Sequence, residues 1–222
     1  MMERIMVCVL LAIIGLGAVA LADEAMPFQK IIDASNALQT FSATIMMTQY
    51  RGTKGSTIEF QFTYVPPTKM RIEYTAPKAL VGQLVIINGD QLYTYMAALH
   101  RSLHKTVTGS GGNEGREIGF LYYFVNREGS DFAQDYTLSP VGGPQEYTFE
   151  HAGKTISYDA YKVTLTGKHG KQIVWCDAVT LVPIAVDIYD GDKLSIEVHV
   201  VNYQYNGTGP GSGFRYPRLK GR

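Results

Sequence analysis

The residues able to do chemistry in this chain are few and widely spaced. His100 and His104 stand four apart, a spacing that aligns two metal ligands on one face of a helix. Around them, Leu99-His100-Arg101-Ser102-Leu103-His104-Lys105 follows a strand and offers no carboxylate or cysteine to complete a site, so no metal is expected. His151, His169 and His199 are isolated and read as solvated surface residues. Cys176, between Trp175 and Asp177, would be a nucleophile only with a histidine partner and an electropositive setting. A partly buried strand cysteine is the expectation. Gly109 to Gly115 fits neither a phosphate loop nor a dinucleotide fingerprint, and reads as a hinge. Carboxylates are scattered, without the facing pair that acid/base hydrolysis needs. The expectation is a protein that is not an enzyme and holds no cofactor.

Charge removes another class. Twenty acidic and twenty basic residues balance in 222, so the basic footprint of a nucleic-acid-binding domain is missing. The N-terminus reads as a signal peptide over residues 1–22: Arg4, an apolar run from Ile5 to Val19, then Ala20-Leu21-Ala22 before Asp23. Cleavage after Ala22 would leave 23–222 as one exported domain with a single cysteine, hence no intramolecular disulfide.

The elements that must position any site are mostly strands. Ala25 to Leu38 reads as a helix, with Phe28, Ile31, Ile32, Ser35 and Leu38 on one face and Pro27 in the first turn. From Phe41 the period changes to two. Ile58, Phe60, Phe62 and Tyr64 alternate with polar residues up to Val65-Pro66-Pro67, and Met70, Ile72 and Tyr74 resume up to Pro77. Leu84 to Ile87 then meets an Asn88-Gly89 turn, with Leu92, Tyr93 and Tyr95 beyond it. Arg116 to Asn126 reads as a helix apolar nearly all round, and Asp131 to Tyr136 as a short helical turn. Strands return with Tyr147 and Phe149, Tyr161 to Leu165, Ile173 to Cys176 and Ile184 to Ile188, the last closed by an Asp190-Gly191 turn. Leu194 to Val200 keeps one phase and Val201, Tyr203 and Tyr205 the other, which predicts a β-bulge near residue 200. The fold class is mainly β with a few helices (α+β). So many antiparallel strands must curl or close into a barrel or half-barrel.

Fifteen tyrosines, nine phenylalanines and eight methionines supply much apolar and amphipathic surface. A curved sheet with one apolar face, closed by an apolar helix, suits acyl chains.

Pro66 to Glu73, Pro77, Val85-Ile86-Ile87-Asn88-Gly89 and Leu92-Tyr93-Thr94-Tyr95 together resemble the signature of LolA-like outer-membrane lipoprotein-sorting proteins. Val174-Trp175-Cys176-Asp177, Thr180 to Pro183, Asp187 to Gly191, Val201-Asn202-Tyr203 and Phe214-Arg215-Tyr216-Pro217 resemble that family's second half. The resemblance implies an unclosed antiparallel β-barrel lidded by helices over an apolar cavity. It implies a periplasmic, monomeric carrier of lipoprotein or other lipid acyl chains, with an inner-membrane donor and an outer-membrane acceptor. Pro66 stands where well-studied carriers have an arginine needed for handing cargo onward; Arg71 lies five residues later. On this reading Phe60, Phe62, Tyr64, Met70, Ile72, Tyr74 and Tyr93 line the lipid cavity, and Phe120, Leu121 and Phe124 belong to the lid. Phe62→Glu is then expected to block lipid contact without unfolding the domain. The alternative on the same fold is a lipid-sensing or envelope-assembly module.

Overall fold

A computed structural model describes residues 30, 37, 39–66, 68–106, 136–139, 142–167 and 170–206. The strands are β1 (Phe41–Arg51), β2 (Lys54–Val65), β3 (Lys69–Ala76), β4 (Leu84–Asn88), β5 (Gln91–Met96), β6 (Arg101–Thr106), β7 (Tyr136–Leu138), β8 (Gln145–His151), β9 (Lys154–Gly167), β10 (Gly170–Asp177), β11 (Pro183–Asp190) and β12 (Lys193–Tyr205). They form one antiparallel sheet of twelve strands in the order β6-β5-β4-β3-β2-β1-β12-β11-β10-β9-β7, with β8 also paired to β9. Two meanders thus meet where the first strand pairs with the last. The sheet is unclosed: among the described residues β6 pairs only with β5, and β7 and β8 share the far edge of β9.

Turn chemistry sets the register. Gly52, Gly89 and Gly191 take positive φ of 65°, 64° and 61° in three of the hairpin turns, a conformation that costs glycine nothing. Gly170 is the tightest position. Its φ is +105°, and a Cβ there would stand 2.5 Å from the Tyr189 carbonyl oxygen. Gly170→Ala is therefore expected to destabilise the fold by roughly 2–3 kcal/mol, read as a lower urea midpoint with an unchanged slope.

The predicted bulge is present. Thr44 pairs with Asn202 and Ile45 with Val200, leaving Val201 as the extra residue. Because the slip absorbs one residue, Val200 and Tyr203 pack against the same core. The Tyr158 hydroxyl donates to the Val200 and Val201 carbonyls, each at 3.4 Å, where the ladder is interrupted.

Two strands are not legible from the sequence. β6 takes in Arg101 to His104 and is entered through a 3-10 turn at Ala97–Leu99 that ends on His100. β7 begins at Tyr136, where the sequence suggests a helical turn. The helix expected from Arg116 to Asn126, with Phe120, Leu121 and Phe124, lies outside the described residues, as do residues 1–22 and the tail from Gly207. Of the helix expected at Ala25 to Leu38, only Lys30 and Ala37 are described. No described helix is long and apolar enough to cross a membrane.

Candidate functional site

One face of the sheet is apolar all the way from β5 to β9. Cross-strand register builds it: Phe41 faces Tyr64, Ala43 faces Phe62 and Ile45 faces Phe60 on β1 and β2. Phe60 then faces Tyr74, Phe62 faces Ile72 and Tyr64 faces Met70 on β3. Met70 continues to Ile87 and Ile87 to Leu92. On the other side of β1, Met47 faces Val198, Val198 faces Val186, Val186 faces Val174 and Val174 faces Val163. All belong to one cluster, with Tyr74 and Tyr203 packed against it. The Phe60 and Tyr74 rings lie 5.8 Å apart, and Phe41 and Phe62 6.1 Å apart. These are ordinary aromatic pair distances, so the rings hold each other in place.

Six of the seven expected cavity residues therefore share one face: Phe60, Phe62, Tyr64, Met70, Ile72 and Tyr74. Tyr93 does not. It packs with Leu84 and Ile86 on the opposite face, because Leu92 pairs with Ile87 and neighbouring residues of a strand point to opposite sides. The Asn88-Gly89 turn carries that information, since the hairpin register follows from it. The sequence reading also leaves out Ile45, Met47, Val174, Val186, Val198 and Val200, which complete the same face. Their alternation is visible in the sequence; which strand lies beside which is not.

The face is closed to solvent. Phe62, Tyr64, Met70 and Ile72 are each 1% exposed or less. Cys176 is fully buried in the same cluster, and burial pushes its thiol up to about 12. An activated cysteine is shifted the other way. Among the described residues no group of three or more His, Cys, Asp or Glu could hold a metal.

The opposite face carries the polar groups. Beyond Ala160, where β9 parts from β10, the β8–β9 hairpin folds over this side of the sheet. The Tyr147 ring lies tilted 4.6 Å from Trp175, and Phe149 stacks 4.5 Å from His199. The Tyr147 hydroxyl and His199 Nδ1 share a hydrogen bond of 2.9 Å, while His199 Nε2 stands 3.3 Å from Glu197 Oε1. Tyr50 donates to Glu197 Oε2 at 2.8 Å, and this bond, with burial, pushes the phenol up to about 12. His151, at the hairpin end, lies 2.9 Å from Glu59 on β2. His199, expected on the surface, is only 4% exposed. Glu197 two residues before it, on the same face, is the available signal.

Within this cluster burial holds the Asp187 carboxyl above its ordinary value of 3.8. The folded chain then binds that proton more tightly than the unfolded chain, so the aspartate charge opposes folding at neutral pH and ceases to do so as the group protonates. Asp187→Asn is expected to be more stable than the parent at pH 7, with the difference shrinking toward pH 4. Urea titrations at the two pH values measure it, and an equal or lower midpoint at pH 7 would contradict the assignment.

No family model and no curated protein matches the sequence. Solved structures do match. An uncharacterized conserved protein from Thermus thermophilus aligns over 86% of this chain and 94% of its own, with TM-score 0.53 and 13% identity. The two share a fold. Also similar are an outer membrane lipoprotein-sorting protein domain from Vibrio parahaemolyticus (TM-score 0.41, 15% identity, 85% of this chain and 94% of that one) and a LolA superfamily protein from Nitrosomonas europaea (TM-score 0.40, 13% identity, 86% and 98%).

Proposed function

We propose that this chain is an extracytoplasmic carrier that binds acyl chains of a lipid or lipoprotein on its apolar face and delivers them toward the outer membrane. The observation that supports it is the continuity of that face from Leu92 on β5 to Val163 on β9. Phe60, Phe62, Tyr64, Met70, Ile72 and Tyr74 supply its aromatic end, and we include Phe120, Leu121 and Phe124 in its cover. Cleavage after Ala22, a single domain over 23–222 and a monomeric carrier complete the proposal.

Each buried methylene is worth about 0.8 kcal/mol, so one long acyl chain gains on the order of 10 kcal/mol before ordering costs. Two or three chains held fully would pass the practical ceiling near −20 kcal/mol. A carrier must release its cargo, so partial engagement of each chain is the workable regime. Opening the face is also required, because its central residues are closed to water. The energy of acyl burial must therefore offset that opening.

A diazirine-bearing fatty acid, photolysed with the protein and mapped by peptide mass spectrometry, tests the assignment. Labels are expected in peptides spanning 58–74 at Phe60, Phe62, Met70 or Ile72. Labels confined to Tyr93, Tyr147 or Trp175 would place the ligand on the opposite face and contradict it.

A further inference from the structure

Two connections at one end of the sheet each carry an exposed apolar side chain. Val81, in the β3–β4 connection, is 51% exposed, and Leu99, in the β5–β6 connection, is 61% exposed. Antiparallel pairing places both at the same end, since Leu84 opens β4 opposite Tyr95 and Met96 ends β5 opposite Arg101. They are neighbours: a Cβ built on Gly82 would stand 3.5 Å from the Ala97 Cβ. Lys78 and Arg101 are exposed beside them. No acidic residue occurs from Tyr74 to Gly89 or from Gln91 to Asn113.

The β3–β4 connection is also tied to the apolar face. The Tyr74 N–H donates to the Gln83 carbonyl at 3.0 Å, and the Gly82 N–H to the Tyr74 carbonyl at 3.1 Å. The Tyr74 ring in turn packs on Phe60.

We propose that these paired tips dock on an anionic lipid bilayer, with Val81 and Leu99 entering the interface and Lys78 and Arg101 meeting lipid phosphates. Apolar side chains with exposed Lys78 and Arg101 beside them match that surface in both respects, burial and charge. A protein partner that matched the charge would have to be acidic and also offer an apolar seat; a bilayer supplies both at once. The inference deepens the acyl-binding reading and rests on it for its purpose: the docked end is the end at which Tyr74 joins the tips to the acyl face.

The test places an environment-sensitive fluorophore on the full chain at Leu99→Cys, in a Cys8→Ser background that leaves the buried Cys176. A control carries it at Asp90→Cys, in the β4–β5 turn at the other end of the sheet. Vesicles of phosphatidylglycerol and phosphatidylcholine are expected to raise emission severalfold at position 99 and not at 90. Phosphatidylcholine alone should give little response. Adding Lys78→Gln and Arg101→Gln should weaken the response roughly twenty-fivefold in lipid concentration, two cations at about fivefold each. No rise at 99, an equal rise at both positions, or a rise only with vesicles carrying membrane protein would each overturn the proposal. Fluorescent fatty-acid binding, measured on the same labelled chain without vesicles, reads the acyl face separately. Its loss with the vesicle response intact would sink the acyl reading alone.

Discussion

Replacing Phe62 with alanine is expected to cost the folded state about 4 kcal/mol, and replacing it with glutamate to unfold it. Phe62 is 1% exposed, faces Ala43 on one side and Ile72 on the other, and packs 6.1 Å from Phe41. Truncation removes a ring from a close-packed cluster, so both transfer energy and contacts with the cavity wall are lost. A carboxylate there would be desolvated with apolar groups on both flanks. Its cost is comparable to the whole stability of an ordinary domain, about 5–15 kcal/mol. Circular dichroism and urea titration decide the matter. A Phe62→Glu protein with native dichroism and a cooperative transition would show that water reaches this face. The sequence alone points to that milder outcome, because alternation reveals which residues share a side but not how completely the side is covered.

The same distinction runs through the whole chain. Hairpins marked by Asn88-Gly89 and Asp190-Gly191 are legible, since their turn geometry calls for residues that accept positive φ. The bulge at Val201 is legible because a phase slip leaves a trace in the order of apolar residues. The pairing of β1 with β12 is not. Nothing local records that Ile45 will meet Val200, yet this contact joins the two halves of the apolar face into one. The fold-over of the β8–β9 hairpin is equally hidden: Glu59 and His151 are 92 positions apart, and no short window contains their 2.9 Å contact. Tyr93 fails for a different reason. Chemistry groups it with Leu92, while the register assigns the two to opposite sides.

Met47→Trp is expected to weaken acyl binding by roughly fiftyfold while leaving the protein folded. Met47 stands between Ile58 and Val198 on the apolar face and is 8% exposed, less tightly enclosed than Phe62. A thioether side chain adapts its shape, so its neighbours tolerate exchange better than those of a ring. An indole there would occupy the space of about three methylenes of a bound chain, a loss of about 2.4 kcal/mol. That converts to the stated factor in Kd. Overpacking should cost about 1–3 kcal/mol of stability, visible as a lower thermal midpoint with a cooperative transition retained. Titration with a fluorescent fatty acid measures the binding. Tyr93→Ala, on the opposite face, serves as comparison and should leave Kd within about twofold. Equal weakening by the two substitutions would mean that the apolar face is not where the chain binds.

Native mass spectrometry of the protein purified from its own cells without detergent shows whether the apolar face takes up acyl chains. The expected result is a population heavier than the bare chain by the mass of a lipid, which organic extraction releases as fatty-acyl species and which Met47→Trp diminishes. A bare chain throughout, together with no uptake of fatty acid offered in excess, would contradict it.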